Sequence, residues 1–91
     1  MKRKEILENA IKCVCGDRDE QYGSPENSFE EIAKLWSAYL DLEVSSVDVA
    51  VMMALFKIAR IKTGVQKDDS WIDAAGYLAC GGEIAAELNA D

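Results

Sequence analysis

Histidine is absent from this 91-residue chain, which removes the commonest general base and every Ser/His or Cys/His nucleophile pair. Any catalysis must therefore rest on carboxylates, lysine, tyrosine or a metal. Proline occurs once and glycine six times, so there is little material for flexible linkers. No apolar run reaches the ~18 residues of a membrane span: the longest candidate, Val47 to Ala59, is interrupted by Asp48 and Lys57. The start, MKRKEILENAIK, has basic residues but no continuous apolar stretch behind them, so it does not read as a secretory signal, and a cytoplasmic protein is expected. Cys13, Cys15 and Cys80 are an odd number without paired metal spacing and are expected to be reduced core thiols. Positive charge is also scarce. Ten basic residues against 17 acidic give a net charge of −7, which argues against a broad nucleic-acid or anionic-membrane footprint. A small anionic ligand could still be held by a few local cations.

What is present is helical periodicity. At this length one domain with about four helices is expected, and a hydrophobic content of 49% is far from a disordered composition. Met1 to about Cys15 reads as an amphipathic helix with Ile6, Ala10, Cys13 and Val14 on one stripe beside Leu7 and Ile11, closed by Gly16. GDRDEQYGSPENSF is the one long irregular stretch, and a loop of that length in so short a domain suggests function. Arg18, Tyr22 and Gly23 are its candidates for ligand contact: a cation for phosphate, an aromatic plane for a base, and a close backbone approach. A solvated charge run accounts for Asp17 to Glu20 equally well.

Ser24-Pro25-Glu26 reads as the start of a second helix running to about Leu40, with Phe29, Ile32, Ala33, Trp36 and Tyr39 or Leu40 as its apolar stripe. Glu26, Glu30 and Glu31 lie on its other sides, where carboxylates could chelate Mg²⁺ or simply complement the helix dipole. Ser45 with Asp48 three residues on forms a capping-box pattern for a third helix, Val47 to Lys62. VDVAVMMALFKIARIK is apolar on nearly every side, and a segment of that kind is expected to be the central axis, with other helices all round it. Lys57 and Arg60 share one side of it. Gly64 is its expected stop. After a short loop, a fourth helix reaches about Leu88, with Asp68 or Asp69 as its cap. Asp69, Asp73 and Tyr77 recur every four residues on one face, and only Asp73 lacks a capping explanation. Gly76, Gly81 and Gly82 suggest close helix contact, possible across a dimer axis, with Gly81-Gly82 as a possible break.

A cationic pair facing an acidic pair suits a metal-complexed phosphate, and mutual neutralisation would give the same sequence. RDEQYG, IAKLWSAYL, SVDVAVMMALFKIARI and DSWIDAAGYLA, in that order from Arg18 to Ala79, resemble a small phage or prophage domain family related to the MazG-like all-α nucleotide pyrophosphohydrolases. The resemblance implies a four-helix MazG-like bundle, a homodimer or homotetramer, and Mg²⁺-dependent cleavage of a nucleoside triphosphate to a monophosphate and pyrophosphate. Carried over by position, Glu30, Glu31, Asp69 and Asp73 would bind the metal, with Glu30, Glu31 and Asp73 nearest the chemistry. Lys57 and Arg60, joined by Arg18, would face the phosphates, and Tyr22, Asn27 and Tyr77 would border the nucleoside. The superfamily's E-x-x-E followed by E-x-x-D is absent: Glu26 and Glu30 are four apart, as are Asp69 and Asp73. Two other readings keep the same residues: a nucleotide-binding or nucleotide-sequestering protein without chemistry, and a structural or partner-binding helical domain.

Overall fold

The computed structural model describes residues 1–15, 25–64 and 68–89, and the side chains of all of these but 25–27 and 68. The described residues form four α-helices: α1 (Arg3–Cys15), α2 (Pro25–Leu40), α3 (Ser46–Lys62) and α4 (Asp68–Leu88). The expected all-α, four-helix architecture is what they adopt. The irregular stretch around Arg18, Tyr22 and Gly23 lies outside the described residues.

The helix ends follow local chemistry. Pro25 opens α2, where its fixed φ suits the first turn and its missing N–H costs nothing. At the other end Asp41 takes a left-handed φ of 55°, and the Leu42 N–H donates back to the Ser37 carbonyl at 3.3 Å. This is a Schellman closure built on aspartate where glycine is usual. Ser37 then holds the chain that follows: its Oγ accepts from the Val44 N–H at 2.9 Å and donates to the Val44 carbonyl at 3.2 Å. The capping box of α3 is formed as its sequence suggests, Asp48 N–H to Ser45 Oγ and Ser45 N–H to Asp48 Oδ2, both at 3.0 Å. Gly64, at φ 83°, ends α3. Because α4 begins at Asp68, Asp69 lies inside its first turn and is not the cap. Gly81-Gly82 does not break α4, which is continuous.

The core joins α2, α3 and α4: Phe29 and Ala33, Val44, Val49 and Ala50, Cys80 and Ile84. The most extensive packing is between α3 and α4, and α1 lies against α4. Ala50 meets Gly81 near the start of α3, and Lys57 meets Asp73 nearer its end, so the two helices run antiparallel. Two glycines carry the close approaches. A β-carbon on Gly81 would come within 2.8 Å of the Ala50 methyl, and one on Gly76 within 3.0 Å of Val14 Cγ1 of α1. Gly82 has open space around it.

Several apolar positions lie elsewhere than their sequence suggests. Helix α3 is not surrounded: Val49, Ala50 and Ala54 are buried, whereas Val51, Met52, Leu55, Phe56 and Ile58 are exposed. With α4 on one side and α2 on the next, none of the described residues covers the third. Tyr39 is 89% exposed and Leu40 is 45% exposed, because the α2 stripe has run out of partners where the helix closes. Cys13 and Cys15 are exposed and only Cys80 is buried, since α1 rests on α4 through a narrow strip centred on Ala10, with Ile6 and Val14 beside it.

Candidate functional site

Two of the sequence-predicted charges meet. Lys57 Nζ of α3 lies 2.9 Å from Asp73 Oδ2 of α4, the side chains 20% and 30% exposed. Each reaches this point because the antiparallel register places the last turns of α3 beside the first turns of α4, opposite the end where Gly81 admits Ala50. A short, partly dehydrated N⁺–H···O⁻ bond is stronger than a surface ion pair and still within reach of solvent. The Phe56 ring lies near both cations: Lys57 Nζ stands 5.8 Å from its centroid and the Arg60 guanidinium carbon 5.9 Å. These are cation–π distances. The sequence signal for this contact was the spacing of Phe56 one residue before Lys57 and one helical turn before Arg60.

Tyr77, one turn beyond Asp73, is half-buried and tilted against Phe29 of α2, with ring centroids 6.2 Å apart at 44°. Phe29 was read only as core and is the residue that fixes this ring. The other sequence candidates are less gathered. Arg60 and Asp69 are exposed. Glu30 and Glu31 are exposed on α2, where Glu31 pairs with Lys34 at 3.6 Å. Arg18 and Tyr22 lie outside the described residues, as does the side chain of Asn27. Among the described residues no three Asp, Glu or Cys side chains form a group able to hold a metal ion. An ion held by protein alone is thus not what these residues fit. Mg²⁺ commonly needs only one or two carboxylates when it arrives on phosphates, and Asp73, beside a cation, suits that arrangement.

Domain of unknown function DUF6378 matches residues 5–85. The chain belongs to this family. Curated proteins similar to this chain are phage products. The gene 55 protein of Mycobacterium phage D29 is 46% identical over 77 residues, covering 85% of this chain and 51% of that protein. The gene 55 protein of Mycobacterium phage L5 is 42% identical over 73 residues, covering 79% of this chain and 47% of that protein. The phage side of the family resemblance is therefore borne out. The chain spans about half the length of these curated relatives. No solved structure matches it. None of the described helices is long and apolar enough to cross a membrane.

Proposed function

We propose that this DUF6378 domain binds the phosphates of a nucleotide at the Lys57–Asp73 pair and, with Mg²⁺, cleaves a nucleoside triphosphate to a monophosphate and pyrophosphate, as its MazG-like resemblance implies. The observation that supports this is the pair itself. It joins two helices, it is short, and 20% and 30% of the two side chains stay open to solvent. A phosphate can therefore compete with Asp73 for the lysine. Arg60, one turn on, adds a second cation, and Tyr77 offers a ring fixed by Phe29 for the nucleoside. Mg²⁺, when bound, would neutralise charge on the leaving pyrophosphate and activate water. Asp73 would hold it, with Asp69 one turn earlier on the same helix as the second carboxylate; Glu30 and Glu31 of α2 do not gather with them among the described residues. In this reading the partner is a small nucleotide and not a nucleic-acid polymer, the protein works in the cytoplasm, and it acts as a homodimer or homotetramer. The activity of a longer protein containing this domain belongs to the same proposal.

A second reading, nucleotide binding or sequestration without turnover, is favoured by one observation: the described carboxylates do not gather in threes. One experiment separates the two. Pyrophosphate release is measured from a panel of nucleoside and deoxynucleoside triphosphates with Mg²⁺, alongside calorimetric titration of the same nucleotides with and without the metal. Release that disappears in a folded Asp73→Asn variant supports hydrolysis. Tight binding that Lys57→Met removes, without release from any triphosphate, supports sequestration. If no nucleotide binds the folded protein, Lys57–Asp73 is a structural pair and both readings fall.

A further inference from the structure

The face of α3 that none of the described residues covers has an order that chance exposure does not explain. Advancing 100° per residue, Val51, Leu55 and Ile58 lie in line, with Met52, Phe56 and Ala59 beside them. The buried positions Val49, Ala50 and Ala54 occupy the opposite half of the helix. Each of the five large side chains from Val51 to Ile58 is 41–56% exposed. Together they leave roughly 400 Å² of apolar surface, within the ~300–600 Å² of the largest patch on a typical monomer, which is often a functional one. Two such patches brought together bury roughly 800 Å², short of the ~1,200 Å² at which stable specific interfaces begin, so the pairing they support is a weak, reversible one.

The charges at the two ends of this face are opposite. Asp48, Leu55 and Lys62 are spaced by seven residues, so all three lie on the same side of the helix. Asp48 and Lys62 are both exposed, and between them that side is entirely apolar. The sequence of the face is thus acid, three apolar turns, base. We propose that it pairs with the same face of a second copy of this chain, antiparallel, about a two-fold axis through Leu55. In that register each Asp48 stands beside the other copy's Lys62, and Val51 and Met52 meet Ala59 and Ile58. A two-fold interface must be complementary to itself, and this face is. The parallel arrangement would set Asp48 against Asp48 and Lys62 against Lys62. At the shallow ~20° crossing of bundle helices, ends two turns from the axis diverge by only a few ångströms, which a lysine spans. This inference deepens the homodimer of the nucleotide reading by naming its face and register, and because it is argued from the exposed side of α3 alone, the failure of nucleotide binding would leave it standing.

Sedimentation equilibrium over a range of concentrations tests it. The wild-type chain is expected to dimerise. Leu55→Glu, at a position already exposed, should give a monomer with unchanged helical circular dichroism. Lys62→Glu should raise the dissociation constant roughly tenfold, because two symmetry-related attractions become repulsions. Adding Asp48→Lys to Lys62→Glu should return it towards the wild-type value. A wild-type chain that stays monomeric at high micromolar concentration overturns the proposal, as does a dimer indifferent to Leu55→Glu. If Lys62→Glu weakens nothing, or Asp48→Lys fails to rescue it in a variant whose helicity is intact, the antiparallel register is wrong.

Discussion

Ala50 and Gly81 meet across the α3–α4 contact with no room for one further carbon: the methyl of the first is 2.8 Å from where a β-carbon on the second would stand. Ala50 is fully buried, so it cannot move aside into solvent. One position further along α4, Gly82 has nothing within 4 Å of the same construction. Gly81→Ala should therefore destabilise the protein by about 1–3 kcal/mol through overpacking. Gly82→Ala should stabilise it by about 0.5–1 kcal/mol, the ordinary helix gain of alanine over glycine. Denaturant midpoints of the two variants should move in opposite directions, and a shared sign would contradict the packing.

The Lys57–Asp73 pair should behave as a coupled unit. Lys57→Met or Asp73→Leu alone leaves a partly dehydrated charge facing an apolar group and is expected to cost about 1–3 kcal/mol, less than for a wholly buried pair. The double variant should cost clearly less than the two losses combined. Chemical denaturation of all four proteins measures this, and strict additivity would mean that the pair contributes no mutual energy.

Ser37 has a role that its sequence context hides. Its hydroxyl satisfies both the N–H and the carbonyl of buried Val44, fixing the short connection between α2 and α3. Ser37→Ala leaves both groups without that partner and should lower stability by about 1–3 kcal/mol. Faster hydrogen exchange at the Val44 amide should accompany the loss.

Asp41 follows the C-terminal end of α2 with a left-handed φ, and it brings a negative charge close to the negative end of the helix dipole. Both features are unfavourable for aspartate. Asp41→Gly removes them and is expected to raise stability by up to about 1 kcal/mol, a shift of several degrees in Tm for a chain of this size. A lower Tm would show that the aspartate makes a compensating contact.

The helices were legible because their signals are local. Pro25, the Ser45–Asp48 box and Gly64 mark ends through short-range hydrogen bonding and φ preference, and each stands where it was expected. The α3 axis was misjudged for a physical reason. Hydropathy reports that a face avoids water, not which molecule covers it, so Val51, Leu55 and Ile58 read as core although no described residue covers them. Lys57 and Asp73 were legible as a facing pair because helical spacing put each on a defined side. Their departure from Arg60, Asp69, Glu30 and Glu31 was not, since it depends on the depth at which α3 and α4 approach. The Ser37–Val44 bonds were invisible for another reason: a serine seven residues from its partner carries no periodic signal.

The extensive contact between α3 and α4 joins segments that are neighbours along the chain, whereas α1 must fold back across two intervening helices to reach α4. Closing a short connection costs little entropy, so the α3–α4 hairpin is the natural early structure during folding, and α1 the late arrival. Disturbing Ala50 or Gly81 should then slow refolding, while loosening Val14 against Gly76 should mainly hasten unfolding. The glycine that lets two helices touch would in this way also time the order in which the molecule assembles.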